Sequence, residues 1–487
     1  MGLNNLRFHP APIQFGTDGW RGVLGVDITI ERLLRVASAA AQELAFRSQR
    51  DLNSKTVLIG YDRRFLAPEL AIAVGAAVRG CELDPLITET SVPTPACSWS
   101  VIQRNALGAI VITASHNPPE WIGLKIKGPN GASVERDFTN AVEKRLTLGS
   151  INFPLEGLTK TFDCKYEHIQ GLRSKFDIPE LFTQLKNMGL KIIVDPMHGS
   201  AAGCMKELLE DSTPIDQLLT EIRSNRDPLF GGTSPEPLEK NLTTLIDKVQ
   251  YSSANGKPAM GLVFDGDGDR IAAIDERGRF CSTQLLMPLL INHLAKVRNL
   301  PGCVVKTVSG SDLMSLVAQD VGRDVVELPV GFKYIASEMF KREVLIGGEE
   351  SGGIGFGMHL PERDALFAAL LLLEAIKDSS KFLGVLIDDL ENNFGKSYYE
   401  RIDLRLPSMN SRKKLEDTLK NNPPSSINNF SVIDITSIDG FKLRMSKNNW
   451  LMFRFSGTEP LLRIYCEAPT EEILENHLQW GKHFSEK

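Results

Sequence analysis

The stretch GAIVITASHNPPEWIGLKI, residues 108–126, organises the rest of this chain. Its β-branched, apolar run at 109–112 predicts a buried strand of a largely parallel sheet. The strand then stops, and Pro118 and Pro119 prevent an immediate helix. A rigid strand therefore delivers the hydroxyl of Ser115 into a restricted loop, which is how a nucleophile or a phosphate carrier is held still. Taken alone, the same pattern is also that of an ordinary polar turn.

Composition excludes several classes of protein. The chain has 487 residues, 42% of them hydrophobic, and a net charge of −6, with no basic run that would bind nucleic acid. The longest apolar run, 365–373, is far shorter than the roughly 20 residues that span a bilayer. Seven scattered cysteines without CxxC spacing, and an N-terminus without the layout of a signal peptide, predict a cytoplasmic protein with reduced thiols.

The length predicts several domains. Strand–loop–helix units begin near residues 57, 192 and 304, and they predict three α/β domains of related plan. Beyond a linker at Gly395, two strands and a closing helix predict a smaller α+β domain. The predicted domains are 1–155, 156–278, 279–390 and 391–487.

The strongest chemical signal is a loop in which aspartates alternate with glycines: Asp265, Asp267 and Asp269. Three crowded carboxylates repel one another without a cation, and ligands that are all oxygen favour a hard divalent ion, above all Mg²⁺. An EF-hand is an alternative, but Glu276 reaches the twelfth position only across an apolar strand at 271–274, which cannot wrap around an ion. A solvated acidic turn is the remaining alternative.

Near the C-terminus, the stretch RFSGT suits a phosphate dianion. Arg454 and Arg463 offer two guanidinium forks, Ser456 and Thr458 offer hydroxyls, and the backbone around Gly457 offers N–H groups. A β-turn that happens to be flanked by arginines is the simpler alternative.

A further loop carries Glu349 and Ser351 between paired glycines. A carboxylate and a hydroxyl at this spacing are able to accept from and donate to vicinal hydroxyls of a sugar. A plain hairpin loop explains the pattern equally well.

We call the RFSGT stretch with Arg463 the phosphate clamp, and the loop with Asp265, Asp267 and Asp269 the metal loop. Together with exposed Ser115, they indicate phosphoryl transfer rather than acyl transfer. His116 is the immediate neighbour of Ser115, so it is poorly placed to act as a triad base. A phosphoserine on Mg²⁺ would instead be activated by charge neutralisation, with Arg270, Lys125 and Arg21 supplying further positive charge.

Five motifs, in order, resemble those of the α-D-phosphohexomutase superfamily, the phosphoglucomutase/phosphomannomutase enzymes. They are FGTDGWRG (15–22), TASHNPPEWIGLKI (113–126), DGDGDR (265–270), GGEESGG (347–353) and RFSGTEPLLRIY (454–465). The resemblance spans nearly the whole chain. It implies four domains around a central cleft, three related α/β domains and a smaller C-terminal α+β domain.

The resemblance also implies roles for individual residues. Ser115 would carry the phosphoryl group, Glu349 and Ser351 would read sugar hydroxyls, and Lys125 and Lys333 match positions proposed for proton transfer or charge neutralisation. The predicted catalytic residues are Ser115, His116, Arg21, Lys125, Arg270 and Lys333. The predicted substrate-binding residues are Gly331, Glu349, Ser351, Arg454, Ser456, Gly457, Thr458 and Arg463. The predicted metal ligands are Ser115, Asp265, Asp267 and Asp269.

The activity implied is interconversion of hexose 1-phosphate and hexose 6-phosphate through a hexose 1,6-bisphosphate, with Mg²⁺ as cofactor. Gly353 and Lys333 stand where dual-specificity members have histidines, which favours glucose. Glu350 stands where phosphoglucosamine mutases typically carry glutamine, which ranks that activity lower, together with phosphomannomutase. We expect small hexose phosphates as the only partners of a monomer or weak homodimer.

Two alternatives remain at this stage. If the bisphosphate escapes and another sugar bisphosphate recharges Ser115, the same residues make a glucose-1,6-bisphosphate synthase, and Ile122, where the family often has Asn or Asp, favours keeping this reading. A non-enzymatic protein that binds sugar phosphates is the other alternative, although it has no need of three aspartates.

Overall fold

The computed structural model describes residues 10–48, 54–146, 154, 160–209, 218–456 and 460–486. Within these ranges the strands form four sheets of four to six strands and one two-stranded sheet. Each of the first three sheets contains parallel strands and belongs to a unit that also has helices, whereas the fourth sheet is antiparallel. The predicted architecture, three α/β units and one α+β unit, is confirmed.

The first unit carries the serine loop. Its strands are β1 (Trp20–Val23), β2 (Thr56–Tyr61), β3 (Asp84–Thr88), β4 (Gly108–Ile112), β5 (Trp121–Lys127) and β6 (Lys160–Phe162). Its helices are α1 (Ile30–Ser48), α2 (Ala67–Arg79), α3 (Thr94–Gln103) and α4 (Arg136–Arg145). The sheet order is β1-β5-β4-β2-β3-β6. Strand β6 follows the boundary predicted at 155/156, yet it pairs in parallel with β3 and completes this sheet.

The second unit carries the aspartate loop. Its helices are α5 (Cys164–Arg173), α6 (Ile178–Asn187), α7 (Cys204–Leu209) and α8 (Thr243–Ala254). Its strands are β7 (Lys191–Asp195), β8 (Leu219–Glu221), β9 (Ala259–Phe264), β10 (Ile271–Ile274) and β11 (Phe280–Cys281). They lie in the order β11-β10-β9-β7-β8.

The third unit carries the loop with Glu349 and Ser351. Its strands are β12 (Cys303–Thr307), β13 (Val325–Leu328), β14 (Val344–Gly348) and β15 (Ile354–Phe356), in the order β13-β12-β14-β15. Its helices are α9 (Thr283–Asn292), which continues into a π-helical turn at 293–297, α10 (Asp312–Asp320), α11 (Phe332–Met339), α12 (Ala365–Ser379) and α13 (Leu383–Phe394).

The three chemical loops occupy one topological position. Each leaves a strand that pairs in parallel with a neighbour, β4 with β2, β9 with β7, and β14 with β12. Each then returns along an antiparallel partner, β5, β10 or β15. Because ligands of α/β sheets bind beyond the carboxyl ends of the parallel strands, this shared position makes all three loops candidates for ligand binding.

The fourth unit is an antiparallel sheet with flanking helices. Its strands are β16 (Tyr398–Arg405), β17 (Ser426–Ile427), β18 (Phe430–Ser431), β19 (Asp434–Thr436), β20 (Phe441–Ser446), β21 (Asn449–Phe455) and β22 (Leu461–Ala468). Its helices are α14 (Met409–Asn421) and α15 (Glu471–Glu486). Buried Glu467 links this sheet to the third unit. It accepts hydrogen bonds from the Asp312 N–H of α10 (2.9 Å) and from the indole of Trp450 in β21 (2.6 Å).

The long apolar helix α12 is a core element. Asp364 caps its first turn by accepting hydrogen bonds from the N–H groups of Leu366 and Phe367, each at 3.1 Å. The run that follows is buried against α6 and α9, which explains its continuous hydrophobicity. No helix in the described ranges is long and apolar enough to cross a membrane.

One local prediction was wrong. The glycine-containing turns on either side of Arg21 predict a loop at this position, but Arg21 lies in β1. That strand exists because its backbone pairs with β5, where Arg21 faces Gly123. The pairing joins residues about a hundred positions apart, so no local pattern announces it.

Candidate active site

The loop after β4 holds Ser115 in an uncommon conformation. Its φ is 50°, in the left-handed region that non-glycine residues rarely adopt. Its N–H donates to Thr113 Oγ1 at 2.8 Å, and the Thr113 hydroxyl donates in turn to Asp62 at 2.6 Å. The side chain is nearly inaccessible in this state. Strain of this kind persists where surrounding contacts enforce it, and it is common at functional sites.

Arg64 enforces the loop shape. The side chain is fully buried, and its guanidinium donates to four main-chain carbonyls of the serine loop. These are the carbonyls of Ser115 (2.7 Å), Asn117 (2.7 Å), Pro118 (2.7 Å) and Trp121 (2.9 Å). A planar fork of five donors is suited to this task. None of the sequence motifs assigned a role to Arg64.

The serine hydroxyl contacts the aspartate loop. Ser115 Oγ donates to Asp265 Oδ2 at 2.8 Å and lies 3.3 Å from His116 Nδ1. The other oxygen of Asp265 accepts the N–H groups of Asp269 (3.0 Å) and Arg270 (3.1 Å). Burial, with repulsion from Arg270, holds the pKa of His116 well below its usual range, so the imidazole is neutral.

The three predicted metal ligands Asp265, Asp267 and Asp269 converge. One carboxylate oxygen from each lies within 4.8 Å of the other two, and all three side chains are fully buried. Within the described ranges, Asp267 Oδ1 and Asp269 Oδ1 accept no hydrogen bond. Burial and repulsion by the other two aspartates raise the pKa of Asp265 well above its usual value. Buried, unpartnered carboxylate oxygens beside a serine oxygen fit a hard divalent cation such as Mg²⁺.

Lys125 neutralises part of this charge from β5. Its Nζ lies 2.9 Å from Asp18, 2.8 Å from Asp267 and 2.6 Å from Asp269. Burial opposes the lysine charge, but the three carboxylates outweigh it and raise the pKa of Lys125. Asp267 also accepts a hydrogen bond of 2.6 Å from the Thr94 hydroxyl. Lys125 is therefore a permanent cation in the centre.

Arg363 joins the metal loop to the loop after β14. It donates to Asp18 at 2.6 Å and to Asp269 at 2.8 Å, and lies 3.5 Å from Glu349. Burial raises the pKa of Glu349 to about 7, although Arg363 acts in the opposite direction. Sequence analysis missed both Asp18 and Arg363. Asp18 stood inside the FGTDGWRG motif, whereas no motif pointed to Arg363.

The predicted sugar-reading loop lies directly beside the metal loop. Arg270 and Gly353 form an isolated β-bridge, and the Ile271 N–H donates to Gly352 at 3.0 Å. Arg270 also approaches the carbonyl of Ser351 at 3.5 Å. Arg21 approaches from the other side, where it donates to Asn117 of the serine loop at 3.1 Å. The structure thus brings four of the five motifs together.

The fifth motif lies on the fourth sheet. Arg454 and Arg463 are paired in β21 and β22, so both side chains project from the same face. Arg454 pairs with Asp439 at 2.8 Å, and the same carboxylate accepts the Val330 N–H at 3.0 Å, next to Gly331. Two of the predicted clamp residues, Gly457 and Thr458, lie outside the described residues. Ser456 donates its N–H to the Leu461 carbonyl at 2.9 Å.

Lys333 lies near the FGTDGWRG motif. Together with Arg136 and residues 15–19 it lines a small crevice beside the first unit. Burial and repulsion by Arg136 lower its pKa. Across the described ranges, no hydrogen bond or ion pair joins Lys333 to Ser115 or to the three aspartates. Its catalytic role therefore stays a prediction.

Three α/β units, an α+β unit and a strained serine on a buried carboxylate triad define a phosphoryl-transfer enzyme of the α-D-phosphohexomutase class. Sequence profiles agree along the chain, with descriptions that read phosphoglucomutase/phosphomannomutase alpha/beta/alpha domain I at 12–150, domain II at 166–278, domain III at 283–394 and C-terminal domain at 414–478. The chain belongs to the phosphoglucomutase/phosphomannomutase family. The predicted Mg²⁺-dependent intramolecular phosphotransferase is confirmed at the level of this family.

Individual relatives span the whole chain. A phosphoglucomutase/phosphomannomutase of Thermococcus kodakarensis is 28% identical over 96% of this chain and 97% of its own length. A phosphoglucosamine mutase of Limosilactobacillus reuteri is 28% identical over 96% of each chain. The crystal structure of a Thermus thermophilus protein proposed to be a phosphomannomutase is 29% identical, covers 98% of this chain and 100% of that one, and superposes with a TM-score of 0.83.

Proposed function

We propose that this protein moves a phosphoryl group between O1 and O6 of a hexose through a phosphoserine at Ser115. The observation that carries the proposal is the 2.8 Å hydrogen bond from Ser115 Oγ to Asp265, within a carboxylate triad whose unpartnered oxygens suit a divalent cation. A serine in that place is held where a phosphoryl group and a metal ion meet.

In the first half of the proposed cycle, a hydroxyl oxygen of the sugar monophosphate bonds to phosphorus and the bond from phosphorus to Ser115 Oγ breaks. The product is a hexose 1,6-bisphosphate. The hydroxyl proton needs an acceptor, and neutral His116 beside Ser115 is able to take it. The second half returns the other phosphoryl group to Ser115.

A bound Mg²⁺ would neutralise charge on the phosphoryl oxygens, and Asp265, Asp267 and Asp269 would hold it with an oxygen on Ser115. Lys125 adds a fixed positive charge at the same place. Arg363 ties Glu349, the proposed reader of sugar hydroxyls, to Asp269. The arginines of the fourth sheet would bind the phosphate that is not being transferred.

For the sugar, we propose a hexosamine phosphate ahead of glucose and mannose phosphates. The sequence preference for glucose rested on Gly353 and Lys333, and Lys333 lines a crevice with Arg136 and residues 15–19. Relatives named phosphoglucosamine mutase, at 28% to 29% identity over the whole chain, support the amino sugar. We further propose a monomer or weak homodimer that acts in the cytoplasm.

The alternative activity, bisphosphate synthase, was favoured by Ile122, and the position of Ile122 in the structure does not support it. Ile122 is 1% exposed and packs in the apolar core of the first unit, with its backbone opposite Gly22. Its side chain therefore lies inside the first unit rather than at its surface. A mutase that retains its intermediate is the better-supported activity.

The test is ³¹P NMR of the full chain with Mg²⁺ and a catalytic amount of glucose 1,6-bisphosphate. Glucosamine, glucose and mannose 1-phosphates are supplied in parallel, and the S115A variant is the control. We expect conversion to the 6-phosphate, fastest for glucosamine, and none with S115A. Net accumulation of bisphosphate would identify a synthase, and wild-type turnover by S115A would exclude the phosphoserine.

A further inference from the structure

Glu350, between the two proposed sugar readers, has a partner that neither of them has. Its Oε2 accepts a hydrogen bond of 2.8 Å from the Ser309 hydroxyl. The carbonyl of Ser309 accepts in turn from the Tyr399 hydroxyl of β16, at 3.0 Å. Through Ser309, the Glu350 carboxylate reaches from the third unit to the edge of the fourth sheet.

The face of the fourth sheet that carries the clamp is strongly cationic. Arg401 lies opposite Tyr465, and Arg463 lies opposite both Asp403 and Arg454. Because directly opposed residues share a face, and residues two apart on one strand do too, the three arginines form one surface. Their side chains remain 15% to 31% exposed, so ligands are able to reach them.

Two of the carboxylates that balance this surface belong to the fourth unit itself. Asp403 lies 3.0 Å from Arg401 and 3.7 Å from Arg463, and Asp439 lies 2.8 Å from Arg454. Glu350 differs from them, because it comes from the third unit and reaches the fourth sheet through Ser309 and Tyr399. The Glu350 carboxylate also acts electrostatically on this surface. Burial, and after it the negative charge of Glu350, raises the pKa of the Tyr465 hydroxyl to about 12.

We propose that Glu350 competes with substrate phosphate for the arginine surface formed by Arg401, Arg454 and Arg463. Without ligand, its carboxylate supplies negative charge from the third unit. A phosphate dianion takes over that role when it binds, and Glu350 returns when the phosphate leaves. The inference rests on the proposed function, and it assigns Glu350 to phosphate release rather than to reading the sugar.

The variant E350Q tests this directly, because glutamine keeps an oxygen that accepts the Ser309 hydroxyl but carries no charge. The matched control is E400Q, which removes the same charge from β16. Glu400 is exposed and lies opposite Cys466 on the other face of the sheet. Calorimetric titration of each full-length variant with inorganic phosphate measures affinity without requiring turnover.

We expect E350Q to bind inorganic phosphate about tenfold more tightly than wild type at low ionic strength, with a smaller gain at high salt. E400Q should match wild type, and the gain should vanish when E350Q is combined with R454A. A lower KM for every hexose phosphate, whatever its C2 substituent, should accompany the gain.

Equal phosphate affinity in wild type and E350Q would overturn the inference, as would an equal gain in E400Q. A changed preference between glucosamine and glucose phosphates, at unchanged phosphate affinity, would show instead that Glu350 reads the sugar. These results are separable from the proposed function, which fails only if the wild-type enzyme does not isomerise hexose phosphates in the NMR experiment.

Discussion

Replacing Lys125 by methionine should destabilise the protein in the absence of Mg²⁺. Methionine approximates the length of lysine but carries no charge. Asp18 and Asp269 would keep Arg363 as a partner, at 2.6 and 2.8 Å. Asp267 would keep only the hydroxyl of Thr94 among the described residues, so its buried charge would lose its cation.

The size of the effect follows from that loss. Removing one partner of a buried ion pair costs about 3–5 kcal/mol, because the other charge is left without compensation. For a domain of about 150 residues, a loss of that size corresponds to a decrease of about 10 °C in Tm. Replacing Asp267 by asparagine in the same chain removes the stranded charge. We therefore expect the double variant K125M/D267N to be about 2–3 kcal/mol more stable than the two single changes predict.

The assay is thermal unfolding with and without Mg²⁺, with K127M as the matched control. Lys127 lies two residues further along β5, is equally buried, and pairs with Glu362 instead of the aspartate loop. Both variants should unfold earlier than wild type without metal. Mg²⁺ should restore K125M more than wild type, since the carboxylates have lost a competing cation, whereas K127M should gain only what wild type gains.

Two results would refute this reasoning. The first is an unchanged Tm for K125M without metal, which would mean that Asp267 is protonated or solvated in the folded protein. The second is strict additivity of K125M and D267N, which would mean that the 2.8 Å contact between them carries no coupling energy.

Three further predictions concern the metal and the clamp. D267N should raise the Mg²⁺ concentration needed for half-maximal activity, and unchanged activity at limiting Mg²⁺ would remove Asp267 from the metal site. Mg²⁺ affinity should rise with pH, because the raised pKa of Asp265 favours a protonated carboxyl without metal, and Mg²⁺ must displace that proton. Calorimetry in buffers of different ionisation enthalpy should detect the released proton. Binding without proton release would contradict the raised pKa. R454A or R463A should raise KM with little change in kcat, since a non-reacting phosphate is held equally in ground and transition states, whereas a loss confined to kcat would place these arginines at the reacting phosphate.

Local sequence carried most of the fold. The predicted strand at 109–112 is β4, and the strands predicted near residues 57, 192 and 304 are β2, β7 and β12. These predictions succeeded because a buried parallel strand needs a continuous apolar run, and because glycine, proline and aspartate end it within a few residues. The convergence of Asp265, Asp267 and Asp269 was readable for the same reason, since they lie within five residues of one loop.

Local patterns along the chain thus identify the loops that carry chemistry and the residue types that they offer. The meeting of side chains from different loops depends on tertiary packing. Arg363 and Asp18 are 345 residues apart in the chain, yet they form a hydrogen bond beside the aspartate loop. Lys333, which matched a family position, lines a crevice with Arg136 and residues 15–19. Local patterns report burial and turns, whereas contacts between units depend on how separate sheets pack, and no spacing along the chain records that packing.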